Sequence, residues 1–281
     1  MQSQKDSFTL APIGHLRSVF DHKFGTPRQG ALAPHSEARF ILAPQWQGRG
    51  LFERLEGFSH VWLVSWFHQS KNTRVPCKIH PPRLLGESVG VMASRSPHRP
   101  NNLGLTLARL EKVEGEELLL SGIDLIDGTP ILDIKPYLAE ADRPQEYSGG
   151  WTENLAPSEM RCEFSATALS ELDEQLRAGR VVERERFLHL VREVLLLDPR
   201  PLSYRERVNE RFAIVLSGLD VHAVFSEGVF TVVSVQPFSP SKNEQREENA
   251  SQGAGPQIQR TTQTEAIRAP AQAEMQNHHA E

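Results

Sequence analysis

Two arginines, one histidine and two prolines crowd the eleven residues SRSPHRPNNLG (94–104). Pro97 and Pro100 fix φ and lower the entropy cost of ordering the segment. A stiffened loop can hold Arg95 and Arg99 at defined places, and a guanidinium is a planar fork matched to carboxylate or phosphate. The expected chemistry is recognition of an anion. Three other polar clusters stand out. FGTPRQG (24–30) carries Pro27, Arg28 and Gln29 in a loop after the first strand. FHQ (67–69) puts His68 and Gln69 at the end of an apolar strand. SGIDLIDGTPILDIKPY (121–137) carries Ser121, Gly122, Ile123, Asp124 and Asp127.

Each cluster has a plainer structural reading. A histidine at a strand end is commonly a satisfied core-edge residue. Asp127-Gly128-Thr129-Pro130 is a turn signal, and Asp127 can simply cap that turn. Cys77-x-x-His80 with His68 has some metal-binding flavour, but a structural zinc site needs four such ligands and no fourth falls at a fitting spacing, so no metal is expected. Asp133 and Lys135 alternate onto one strand face and predict an ion pair, not an acid/base pair of carboxylates.

The elements that must position these clusters are mostly strands. Apolar alternation marks strands over 8–18, 38–44, 88–94, 105–115, 116–126 and 129–137. SHVWLVSWFHQ (59–69) is apolar almost throughout and predicts a strand buried on both faces. Only 45–57 reads as a short helix. The spacing is turn-punctuated and fits an all-β barrel or sandwich. No G-x-G-x-x-G follows a strand, which argues against a Rossmann site. After a linker rich in glycine and serine (146–158), Leu169, Leu172 and Leu176 share one helical face within 166–179. Phe187, Leu190, Val191, Val194 and Leu195 do the same within 183–197, and Pro199 stops that helix. Three strands over 211–218, 220–228 and 229–237 complete a small α+β domain. The expected fold is therefore mainly β: a barrel domain (1–147), a linker (148–159), a small α+β domain (160–238) and a tail (239–281). The tail has two isoleucines, one methionine and no aromatic residue, too little apolar area to offset ordering, and is predicted to be disordered.

The 281 residues carry a net charge of −5, so nothing global advertises nucleic acid. From Lys71 to Lys112, however, eight basic residues face two acidic ones, a local charge of +6 that suggests an anionic partner at one place. Two cysteines, Cys77 and Cys162, form no CxxC pair and fit a reducing compartment. With no apolar core of signal-peptide length and no apolar run near 18 residues, a cytoplasmic protein with no membrane partner is expected.

FGTPRQ, LEGFSHVWLVSWFHQ, PPRLLGESVGVMASRSPHRPNNLG and LIDGTPILDIKPY, in this order, resemble the TrmO (TsaA-like, YaeB-like) family of bacterial tRNA methyltransferases. The resemblance runs from about residue 7 to residue 237 and includes FLHLVREVLLLDPRP. It implies a β-barrel enzyme that uses S-adenosylmethionine to methylate N6 of threonylcarbamoyladenosine, next to the anticodon of threonine tRNA. It also implies a homodimer with the cofactor near the subunit boundary. Carried over motif by motif, the cofactor contacts become Pro27, Arg28, Gln29, His68, Gln69, Arg95, Leu105, Ser121, Gly122, Ile123 and Asp124. Two departures stand out. Asn102 replaces a proline usual in R-P-N-P, and the D-P-R-P-x-Y motif is stretched so that its tyrosine becomes Tyr204.

The transfer itself needs no protein nucleophile, only alignment and exclusion of water. The target N–H sits in a urea-like group and is more acidic than that of adenine. Asp127 and Tyr137 are the candidates to take its proton. Arg95 is expected on the cofactor carboxylate, and Arg99, Asn101, Lys135 and Arg200 on the anticodon arm of the tRNA. Two other readings stay open: a non-catalytic RNA-binding barrel, and a methyltransferase of this fold with another substrate.

Overall fold

The computed structural model describes residues 9–70, 76–81, 84, 86–153, 159–200, 205, 207 and 209–239. Its first eight strands are β1 (Gly14–Ser18), β2 (Glu37–Leu42), β3 (His60–Trp66), β4 (Lys78–Ile79), β5 (Val89–Gly90), β6 (Leu103–Glu114), β7 (Glu117–Ser121) and β8 (Pro130–Pro136). Six of them close a barrel in the order β1-β2-β7-β6-β3-β8, with every neighbouring pair antiparallel. Alternation builds it. Leu16, Phe40, Leu42, Leu63, Leu118, Leu120 and Ile131 point inward and are fully buried or nearly so. Each such side chain contributes about 1.5–3 kcal/mol of burial.

β3 differs from its expectation. Val61, Leu63 and Ser65 are buried, whereas Trp62, Val64 and Trp66 face outward. A barrel has one filled interior, so an apolar run does not guarantee two covered faces. The helix expected over 45–57 is absent. Two 3-10 turns, Pro44–Trp46 and Leu55–Gly57, stand there instead. Gly48 and Gly50 both take φ of 70° and Arg54 takes 64°, left-handed values that no α-helix accommodates. The strand expected over 88–94 shrinks to β5, paired only with β4, and is followed by a turn at Val91–Ala93. The strand expected over 8–18 begins at Gly14, and that over 116–126 ends at Ser121.

The later elements follow their periodicity. A short helix α1 (Ala139–Asp142) precedes β9 (Arg161–Phe164), α2 (Ala166–Arg177) and α3 (Arg184–Leu196). Ser165 caps α2 by accepting the Ala168 N–H at 3.1 Å. Then come β10 (Arg211–Leu216), β11 (Leu219–Ser226) and β12 (Val229–Pro237), in a sheet ordered β10-β11-β12-β9. β9 pairs parallel to β12 and had no counterpart in the sequence reading. The apolar stripe of α3 and Leu172 of α2 cover one face of this sheet, with Phe212, Ile214, Val221, Phe230 and Val232 beneath.

The second core also contains Phe20, which the chain reaches directly after β1. The Ser217 N–H donates to the Val19 carbonyl at 2.8 Å, and the Gly218 N–H to the Asp21 carboxylate at 3.0 Å. The described residues up to Phe238 form one compact unit. Of the tail expected over 239–281, all but Ser239 lies outside the described residues, as does Tyr204. Both cysteines are free. Among the described residues no helix is long and apolar enough to cross a membrane.

Candidate functional site

Antiparallel closure decides which loops meet. β1, β3 and β7 end where β2, β6 and β8 begin. The segments 19–36, 67–102 and 122–129 therefore emerge at one end of the barrel. Those segments hold FGTPRQG, FHQ, SRSPHRPNN and all of GIDLIDGT.

At this end Arg95 donates to the Gln29 side-chain oxygen. The Gln29 amide nitrogen lies 2.5 Å from the Arg28 carbonyl, and Arg28 reaches the Leu197 carbonyl at 2.9 Å, at the C-terminus of α3. Pro27 and Arg28 border a hollow of about 240 Å³ that Leu197, Pro199, Arg200 and Arg205 close from the other side. Gly30 passes Gly122 backbone to backbone; a Cβ on Gly30 would sit 1.9 Å from the Gly122 oxygen. Gly122, at φ of 69°, turns the chain out of β7. The buried Ser36 hydroxyl accepts the Ile123 N–H at 2.6 Å and fixes the same crossing.

Asp124 follows. Burial raises its pKa, opposed by hydrogen bonds from Thr106 and the Gly30 N–H and by the charge of Arg95. The Thr106 hydroxyl is 2.5 Å from the Asp124 carboxylate. Gln29, Arg95, Gly122, Ile123 and Asp124 thus converge. The Ser121 hydroxyl does not join them; it donates to Glu111 at 2.5 Å. Leu105 lies on the outer barrel face opposite Val64 and is 56% exposed. Together with Leu103 and its cross-strand partner Trp66 it makes an exposed apolar stripe at the site end of β3 and β6.

Partial burial lowers the pKa of His68, His15 lowers it further, and the Trp66 carbonyl and Asp127 pull the other way. Gln69 is exposed beside it. Asn102, at the position of the missing proline, tightens this corner: its side chain donates to the Ser70 carbonyl at 3.2 Å, and its own carbonyl accepts the Phe67 N–H at 2.8 Å.

Several expected roles are not where the sequence reading put them. Tyr137 follows β8 and so sits at the opposite barrel end, packed near His60 and Trp62. Lys135 is on that far part of β8 and pairs with Asp133 at 2.8 Å, the ion pair expected from alternation. Asp127 is at the site end, but Arg17 and the Ser18 N–H occupy its carboxylate at 3.1 and 3.0 Å. Arg99 turns back onto its own loop, donating to the Ser94 carbonyl at 2.7 Å and reaching the Val91 carbonyl at 3.5 Å. The Arg200 side chain is 5% exposed; it forks onto Asp198 and stacks 4.0 Å from the Phe225 ring centre. Such an arginine holds the second core and is not presented to RNA. Asn101 is exposed at the loop tip.

Three contributors escaped the sequence reading. Thr106 and Ser36 are ordinary strand-region residues without the structure. Trp151 donates its indole N–H to the Ala93 carbonyl at 2.9 Å, tying the segment after the barrel to the Arg95 loop. In addition, the fully buried Ser65 hydroxyl finds no partner among the described residues. It lies opposite Gly104 at the site end of β3.

Comparison with known proteins adds independent findings. Residues 15–143 match the model for the tRNA-methyltransferase O N-terminal domain, and residues 157–238 match that for the TrmO C-terminal domain. A tRNA (adenine(37)-N6)-methyltransferase of Escherichia coli is 34% identical over 241 residues, covering 82% of this chain and 99% of that protein. A Pseudomonas aeruginosa protein with the provisional name S-adenosylmethionine-dependent methyltransferase RcsF is 40% identical over 215 residues, covering 76% of this chain and 91% of its own. The crystal structure of TrmO from Pseudomonas aeruginosa superposes with a TM-score of 0.68 at 35% identity, covering 82% of this chain and 98% of that one.

Proposed function

We propose, for a chain that belongs to the TrmO family of tRNA methyltransferases, transfer of a methyl group to N6 of threonylcarbamoyladenosine next to the anticodon of threonine tRNA. One observation carries this reading: the loops of one barrel end bring Arg95, Gln29 and Asp124 into a single network over the Gly30–Gly122 crossing. S-adenosylmethionine, when bound, supplies an electrophilic methyl on a sulfonium.

The residues present fit that group. Arg95 offers a cation to a carboxylate. Asp124 offers acceptor oxygens to hydroxyl or amino groups. The Gly30–Gly122 crossing leaves bare backbone at Gly30, where a Cβ would collide with the Gly122 carbonyl. Pro27 and Arg28 border the hollow against Leu197 and Pro199, and the resemblance adds His68, Gln69, Ile123 and Leu105 to the residues that would hold the cofactor. The exposed stripe of Trp66, Leu103 and Leu105 suits a second copy of the chain, which would make the enzyme a homodimer and wall the cofactor from water.

On this reading residues 1–147 bind the cofactor and carry the chemistry, 148–159 link, and 160–238 position the anticodon arm. A reader of anticodon-loop bases has unpaired, splayed targets to work on. The enzyme would act in the cytoplasm, where tRNA is modified.

The test uses methyl-labelled S-adenosylmethionine with two batches of threonine tRNA, one carrying threonylcarbamoyladenosine and one lacking it. Label in the modified batch alone is expected. Label in both would mean another target base. Cofactor binding without label would mean another substrate, and no cofactor binding would leave an RNA-binding barrel.

A further inference from the structure

The buried positions of β6 alternate as Gly104, Thr106, Ala108 and Leu110. Thr106 carries the only hydroxyl among them and is 4% exposed, across from the fully buried Leu63 of β3. A hydroxyl in that place costs free energy unless it is bonded, and a valine would fill nearly the same space without the cost. The Thr106 hydroxyl donates to Oδ1 of Asp124 at 2.5 Å. Asp124 is therefore held from two sides. Its approach along the backbone is fixed by Ser36, whose carbonyl accepts the Gly122 N–H at 3.0 Å and whose hydroxyl accepts the Ile123 N–H at 2.6 Å. Its carboxylate is fixed by Thr106. Asp124 itself is only half-buried, so the carboxylate is not sealed inside the barrel. The charged group that acts on it is Arg95, itself bonded to Gln29.

Building on the placement of the cofactor over the Arg95–Gln29–Asp124 network, we propose that Thr106 is a positioning residue for cofactor binding: its hydroxyl holds the Asp124 carboxylate turned toward a donor group of S-adenosylmethionine, an ammonium or a hydroxyl. The terminal torsion of an aspartate is broad, and a bond at one oxygen removes that freedom before the ligand arrives. An ionised carboxylate has about four acceptor sites. The Thr106 hydroxyl and the N–H groups of Gly30 and of Asp124 itself take part of them and leave room for a ligand donor. Thr106 has a second effect on the same carboxylate. Burial favours the neutral form of Asp124, and the Thr106 bond is the largest of the contacts that favour the charged form, ahead of the Gly30 N–H and Arg95. The hydroxyl thus sets both the direction and the ionisation of the acceptor, although it sits behind Asp124 and need not touch the ligand.

The experiment measures binding of S-adenosylhomocysteine, the demethylated cofactor, to the full chain by calorimetry across the acid range up to neutrality. The wild type is compared with Thr106→Val, Thr106→Ser and Asp124→Asn, each first shown by thermal melting to be folded. Carbon NMR of the Asp124 carboxyl in the ligand-free protein accompanies it. Thr106→Val should bind about tenfold more weakly at neutral pH, the loss of one hydrogen bond to a charged group. Its affinity should also begin to fall at a higher pH than that of the wild type, because the bond that favours the charged carboxylate is gone. The Asp124 carboxyl of the free variant should titrate higher by the same displacement. Thr106→Ser keeps the hydroxyl and should restore both affinity and titration to within about threefold of the wild type, less than the loss of one such bond. Should Thr106→Val fail to fold, Thr106→Ala reads the same two quantities. Wild-type affinity and an unmoved titration in Thr106→Val would overturn the assignment, and so would a Thr106→Ser protein as weak as Thr106→Val, which would make shape and not the hydroxyl the cause. Asp124→Asn separates the two levels. If it binds as the wild type does, the placement of the cofactor on Asp124 fails and the role of Thr106 with it; if it binds weakly while Thr106→Val does not, the role of Thr106 alone is removed.

Discussion

Gly30 and Gly122 cross so closely that the first cannot carry a side chain: its Cβ would stand 1.9 Å from the Gly122 carbonyl oxygen and 2.6 Å from the carbonyl carbon. Backbone cannot swing aside as a flexible side chain can. Gly30→Ala should therefore cost about 1–3 kcal/mol in stability, the range of a forced overpacking, and should weaken cofactor binding by displacing Gln29 and Asp124. Gly128→Ala is the control, since nothing lies within 4 Å of its Cβ and only its φ of 74° is unfavourable. Thermal melts and cofactor titrations of both variants check this. Equal stability of Gly30→Ala and the wild type would show that the crossing relaxes.

The Asp124 carboxylate and the Thr106 hydroxyl set a pH dependence. Burial raises the Asp124 pKa, so the fold penalises its ionised form. Below the unfolded pKa that penalty is absent, and it grows as pH rises through the folded value. Asp124→Asn removes it. The melting temperature of the variant minus that of the wild type should therefore climb from pH 4 to pH 7, while methyl transfer falls. A pH-independent difference would mean that only a hydrogen bond had been lost.

Much of this was legible from the residues. The stripes of α2 and α3 repeat at helical spacing, and the barrel strands alternate. Other features were not. QWQGRGLFERLEG spaces its apolar residues as a helix would, yet Gly48, Gly50 and Arg54 take left-handed conformations that only the packed loop reveals. β9 is four residues long and owes its pairing to β12, whose Val229 faces Arg161, far along the chain, so no local signal marks it. At the site, residue type identified Gln29, Arg95 and Asp124 as polar groups worth placing. It could not tell which end of the barrel Tyr137 occupies, because that depends on counting strands around an antiparallel closure. Nor could it show that Arg99 and Arg200 are satisfied internally, since an arginine aimed at a carbonyl and one aimed at a phosphate look alike in a sequence.

Arg99 gives the third prediction. Its guanidinium braces the carbonyls of Ser94 and Val91 on either side of a turn whose next residue is Arg95. Arg99→Ala should loosen that turn and weaken cofactor binding several-fold. The slope of tRNA affinity against salt should hardly change, because that slope counts phosphate contacts. Arg95→Ala should lower cofactor affinity more. Calorimetry with cofactor, and tRNA binding at several salt concentrations, distinguish the cases. A salt slope shallower by about one for Arg99→Ala would restore Arg99 as a phosphate ligand.

Phe20 ties the two cores together. It leaves β1 and is fully buried among Leu172, Val191, Ile214 and Phe230 of the second core, while Val19 and Asp21 on either side bond Ser217 and Gly218. Phe20→Ala should cost about 3–5 kcal/mol, the usual range for a buried phenylalanine. Because the contact is shared, unfolding in denaturant should remain one transition whether followed by tryptophan fluorescence, whose four indoles all lie before residue 160, or by helical circular dichroism from α2 and α3. A piece comprising residues 1–147 would expose Phe20 and should be less stable than the same residues within the whole chain. Two separated transitions in the wild type, with Phe20→Ala affecting only the later-melting probe, would show instead that the barrel stands alone.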